Sequence, residues 1–216
     1  MRCRRALTAL TLAVLAVAGL SACQTKIGQA AAVDSHTLSD TDLTGYLKPG
    51  TVPYSDPTSR KRVIPKLFVL ENWIRVQLLR AAIAHKGGEV TTSELNTVRA
   101  ALLGDTGLAP PEATYAKLGY TNKLGDLAVE QSSLVVLLVQ RLAGGISVAQ
   151  ALQILQRQNQ QASAALIRAI GDAHAKVEIS PRYGAWDAKA LTVSADPGAG
   201  APPFVDFGSG AATLTP

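Results

Sequence analysis

The chain has 216 residues, 47% hydrophobic and 17% charged, with a formal net charge of +5. Arg2, Arg4 and Arg5 supply three of those charges and the first 22 residues carry no acid, so the rest of the chain sums to +2, too near neutral for a basic nucleic-acid surface. Cys3 and Cys23 are its two cysteines and Met1 its one methionine, which excludes a disulfide framework and weighs against a broad methionine-rich groove.

After the three arginines comes an apolar run, Ala6 to Gly19, and then Leu20-Ser21-Ala22-Cys23. The run is shorter than the roughly 20 residues a spanning helix needs, and small residues precede Cys23, as a peptidase pocket requires. Residues 1–22 therefore read as an export signal. Leu20, Ser21, Ala22 and Cys23 resemble the lipobox of bacterial lipoproteins, in which the cysteine thiol receives a diacylglyceryl group and becomes the first mature residue. That resemblance implies a chain held at the outer, extracytoplasmic face of the cell membrane by acyl chains on Cys23. Each buried methylene contributes about 0.8 kcal/mol, so two or more chains anchor stably. Residues 23–28 form a short tether; Gln24 to Gly28 reaches about 17 Å when extended.

The mature part reads as a mainly α domain over residues 29–193, with about five helices. Ala30 to Val33 is extended, and a turn through Asp34, Ser35 and His36 follows. Three helix starts share one punctuation: a hydroxyl, an acid or amide three residues on, and flanking apolar residues. They are Leu38-Ser39-x-x-Asp42-Leu43, Val90-Thr91-x-x-Glu94-Leu95 and Ile146-Ser147-x-x-Gln150-Ala151. Tyr46 to Arg62, with Pro49, Gly50, Pro53 and Pro57, reads as a loop. Pro65 opens a helix to about His85, stopped by Gly87-Gly88. Its apolar residues Leu67, Leu70, Ile74, Leu78, Ala81 and Ala82 recur at helical spacing, and Trp73 widens that stripe into the core. Glu71 and Arg75 form an i,i+4 pair of the solvated kind. Further helices are expected from Thr91 to about Leu103, Glu112 to Leu118, Asn122 to Leu142 and Ser147 to about Ala175. The run Leu134 to Val139 is apolar on every side and marks a central core helix. Val177-Glu178-Ile179 is a second extended segment, expected to pair antiparallel with Ala31–Val33 as a small two-stranded element joining the first and last mature segments. Residues 194–216, rich in alanine, glycine and proline, read as a disordered tail.

Ala30-Ala31-Ala32-Val33-Asp34-Ser35-His36-Thr37-Leu38-Ser39, the helix ending in Gly87-Gly88 with the capped start after it, and Val177-Glu178-Ile179-Ser180-Pro181-Arg182-Tyr183-Gly184-Ala185-Trp186-Asp187 together resemble the SurA N-terminal-like family of extracytoplasmic chaperones. The likeness is to actinobacterial-type lipoprotein members. Such proteins shield unfolded, exported polypeptide without ATP, and that is what the resemblance implies here. Relatives also carry a parvulin prolyl-isomerase domain of about a hundred residues. The interval Asp105 to Leu142 is too short for one, so no isomerase activity is implied.

Catalysis is not expected. His36, His85 and His174 have no cysteine or paired acid spaced with them as metal ligands, and no cofactor fingerprint is present. Asp126 and Glu130 share a helix face that reads as solvated. Arg182, Tyr183 and Trp186 have two readings. The aromatics plug the end of the bundle with Gly184 making the turn, or with Arg182 they contact a client peptide, as aromatic and arginine hot spots do. Two functions follow: chaperone-like binding of exported polypeptides, or an envelope structural or accessory lipoprotein with one dedicated partner.

Overall fold

The computed structural model describes residues 27–56, 60, 62–105, 111–157 and 159–194. The export signal, Cys23 with most of its tether, and the tail from residue 195 lie outside the described residues.

Three capping boxes set the helix starts. Ser39 caps α1 (Asp40–Gly45): its Oγ accepts from Asp42 N at 3.0 Å, and Leu38 and Leu43 are both buried as the staple. Before α3 (Thr92–Asp105), Thr91 N donates to Glu94 Oε2 at 2.9 Å while Glu94 N donates to Thr91 Oγ1 at 3.2 Å. Before α6 (Val148–Arg157), Ser147 N donates to Gln150 Oε1 at 3.0 Å, and the small Ala151 is fully buried behind it.

The fold is mainly α, and its centre is a pair of long helices. Helix α2 (Pro65–Gly87) starts on proline and ends at Gly88, whose φ of 93° is open to glycine. It packs most extensively against α5 (Asn122–Leu142). Val69, Leu70, Trp73, Ile74, Ala82 and Ile83 from α2, and Leu124, Leu134, Val136 and Leu138 from α5, are buried. Helix α3, the short α4 (Pro111–Lys117), α6 and α7 (Asn159–Asp172) surround this pair. Seven helices stand among the described residues, where about five are expected. The short α1 and α4 stand where the capped start at Ser39 and the stretch Glu112 to Leu118 place them, and the last expected helix, Ser147 to about Ala175, is present as two helical runs with residue 158 between them undescribed.

The ends of the domain meet as expected, in a larger sheet. Strand β1 (Gln29–Val33) pairs antiparallel with β5 (Val177–Ile179) in the register Ala31↔Ile179, Ala32↔Glu178 and Val33↔Val177. A third strand, β2 (His36–Ser39), lies on the other side of β1, so His36 opens a strand and the element has three strands, not two. Residues Ala30 to Val33 are all buried, because alanine is small enough for the strand to be covered on both faces. The turn into β2 carries Asp34 at a φ of 50°, and its carboxylate accepts from Lys176 N at 2.8 Å.

Among the described residues of the segment Tyr46 to Arg62, expected as a loop, Tyr54–Ser55 forms the two-residue strand β3, which pairs antiparallel with β4 (Arg62–Val63) at the segment's far end. Tyr54, Phe68, Tyr115 and Tyr120 form an aromatic cluster with centroid separations of 5.7 to 6.3 Å. Among the described residues, no helix is long and apolar enough to cross a membrane.

Candidate functional site

Residues 181–194 bring together the side chains singled out near the C-terminus. Pro181 to Tyr183 form a single 3-10 turn, and Gly184, at a φ of 109°, redirects the chain into strand β6 (Ala185–Asp187). Strand β6 pairs antiparallel with β7 (Thr192–Ser194), with Trp186 opposite Val193. Ser194, assigned to the tail by its composition, instead closes this hairpin, and its hydroxyl donates to the Ala185 carbonyl at 3.2 Å.

Arg182 and Tyr183 converge on one carboxylate, that of Asp40 in the first turn of α1. Arg182 forms an ion pair with Asp40, and the Tyr183 hydroxyl donates to Asp40 Oδ1 at 2.9 Å. The guanidinium carbon lies 5.1 Å from the Tyr183 ring centroid, within cation–π range. Tyr183 and Trp186 are both half-buried and pack against the hydrophobic core, while Arg182 is exposed. Asp40 thus anchors the loop to the opposite end of the chain. Asp40→Ala is expected to cost about 1 kcal/mol, since the ion pair is largely exposed but the tyrosine hydrogen bond is half-buried. Urea unfolding checks this, and Asp40→Asn, which keeps an acceptor for Tyr183, should lose less.

The hairpin is held from beneath by two residues of α2. Glu71 is 2% exposed, and its Oε1 accepts from Val193 N at 2.8 Å. Arg75 donates from Nε and Nη2 to the Leu191 carbonyl at 3.2 and 3.1 Å. Leu191 itself sits at a φ of 53°. Glu71 Oε2 is buried with no hydrogen-bond partner, 3.8 Å from Arg75 Nη2. Burial pushes the Glu71 carboxyl up to about 7, against the opposing pull of the Val193 N–H and the Arg75 charge. Burial also lowers Arg75, with the Glu71 charge acting in the other direction. The expectation of a solvated i,i+4 pair is therefore wrong: the hairpin covers the pair, and each member binds backbone more than 100 residues further along.

Asp126 and Glu130 each meet a cation from another helix, and Asp126 stays exposed as a solvated face would have it. Arg99 reaches Asp126 at 3.1 Å from α3, and Arg80 reaches Glu130 at 2.7 Å from α2. Among the described residues, no three His, Cys, Asp or Glu side chains are grouped to hold a metal ion. In the C-terminal segment the Arg182 guanidinium and the Tyr183 hydroxyl are held by Asp40, the Leu191 carbonyl and Val193 N–H by Arg75 and Glu71, and the Tyr183 and Trp186 rings pack against the core. No family model, curated protein or solved structure matches the chain.

Proposed function

We propose that this chain is a lipid-anchored extracytoplasmic lipoprotein whose helical domain binds exported polypeptides in a chaperone-like, ATP-independent way. The observation that carries it is Leu20-Ser21-Ala22-Cys23 at the end of a basic-then-apolar leader, six residues ahead of the first strand at Gln29. The resemblance of the segments around Ala30–Ser39 and Val177–Asp187 to SurA N-terminal-like chaperones supplies the substrate class. Binding energy would come from covering apolar surface, at about 25 cal/mol per Å² buried. The short tether keeps this surface close to the membrane, where exported chains emerge. The purified mature protein, at several-fold excess, should suppress light scattering by an aggregating unfolded client. Undiminished scattering would contradict the proposal.

One observation favours the second reading, an accessory envelope lipoprotein with one dedicated partner. Val52, Leu103, Leu142 and Ile167 are exposed large apolar side chains on four separate segments. Leu103 lies beyond the Arg99–Asp126 bridge and Leu142 beyond the Glu94–Arg141 bridge, at opposite ends of α5. Leu103 and Leu142 therefore do not share one broad apolar face of the sort a general holdase uses. Crosslinking on intact cells separates the two: many captured species support the first, and one recurrent species supports the second.

A further inference from the structure

We propose that Glu71 and Arg75 are a protonation-controlled latch, which holds the β6–β7 hairpin on α2 most tightly when the Glu71 carboxyl carries a proton and loosens its grip as that proton leaves. This goes beyond the proposed binding function and stands whether or not Cys23 is acylated.

Geometry is the basis. The docked hairpin shuts Glu71 away from water but gives its carboxylate a single N–H, that of Val193, while Oε2 receives none. An ionised carboxylate has acceptor sites on both oxygens, so the charged form is under-satisfied here. The Arg75 guanidinium does not close the gap, because it is turned to the Leu191 carbonyl and stays 3.8 Å from Oε2. A neutral carboxyl keeps the Val193 hydrogen bond and needs far less solvation. Lifting the hairpin returns Glu71 to water.

The other charges on the neighbouring elements are occupied elsewhere. Asp187 on the hairpin is exposed and accepts from Lys189 N and Ala190 N, and Lys189 is exposed too. On α1, Asp40 faces Arg182 and Tyr183; on α2 and α5, Arg80 and Glu130 face each other. Arg75 is the charged group whose field acts on the Glu71 carboxylate.

The direction follows from linkage. Burial in the docked form raises the carboxyl from its ordinary 4.5 to about 7, and lifting the hairpin removes that burial. Between those values the docked form holds a proton that the open form has released, so docking is favoured at low pH and weakens as pH rises through that window. Val193 also carries the buried side chain of the hairpin, so opening exposes apolar surface and is resisted at every pH.

The test is NMR on the mature chain, residues 23–216. The Glu71 side-chain carbon and the Val193 amide should titrate together with a midpoint near 7. Hydrogen-exchange protection of the Val193 amide, corrected for the intrinsic rate, should fall on the order of tenfold or more between about pH 5 and about pH 9. The Leu138 amide, in the buried C-terminal half of α5, should keep its protection. In Glu71→Gln the Val193 titration should vanish and its protection should stay level. A Glu71 carboxyl titrating at its ordinary value would overturn the proposal, as would equal Val193 behaviour in both proteins. Should Glu71→Gln fail to fold, the wild-type carboxyl titration decides alone.

Discussion

Leu138→Ala should lower the free energy of unfolding by about 2–5 kcal/mol. Leu138 has no exposed surface and sits in α5, the helix that packs most extensively on α2. Truncation removes three carbons' worth of burial and leaves a void that two long helices, held at both ends, cannot close. The paired control is on the same helix. Leu142 is 39% exposed at the end of α5, so Leu142→Ala should change stability by about 0.5 kcal/mol or less. Urea titration of both variants checks the contrast. Equal losses at the two positions would mean that the α2–α5 seam is not the centre of the core.

Cys23→Ser should move the protein from the membrane to the soluble extracytoplasmic fraction, or leave it as an unprocessed precursor. The sequence provides a single sulfur at the end of the leader, and a serine hydroxyl is not a thioether-forming nucleophile under the same conditions. The effect is expected to be nearly complete. Among the described residues no helix can cross a membrane, so none of them supplies a second spanning anchor. Fractionation with quantitative blotting reads the outcome. Retention of Cys23→Ser in the membrane, at wild-type level and after processing, would transfer the anchoring to a protein–protein contact.

Local chemistry was the legible part of this sequence. Ser39 with Asp42, Thr91 with Glu94 and Ser147 with Gln150 start helices because each pair satisfies its own backbone donors within one turn. Proline at residue 65 and the paired glycines at 87 and 88 bound α2 for equally local reasons. The β1–β5 pairing was also readable, since two short apolar segments at the ends of a helical chain have few other strands to join. Strand β2 was hidden by its composition: His36 and Thr37 are exposed and Leu38 alone is fully buried, so no alternation shows. The two-residue ladders of β3 and β4 are too short to leave a pattern.

The C-terminal site was legible only by half. Arg182, Tyr183 and Trp186 stand out by residue type, but their anchor, Asp40, looks like an ordinary acid in a helix's first turn. Glu71 and Arg75 show the limit most clearly. Their spacing is that of a surface pair, and their burial is imposed by residues 191–194, whose return to α2 no local signal announces.

Where this protein works depends above all on the state of Cys23. Intact and tryptic mass spectrometry of the protein extracted from cell membranes tests it most directly. The predicted result is a chain beginning at Cys23 and carrying diacylglyceryl and further acyl mass on that residue. A free Cys23 thiol, or residues 1–22 still attached in the bulk of the cellular protein, would contradict it.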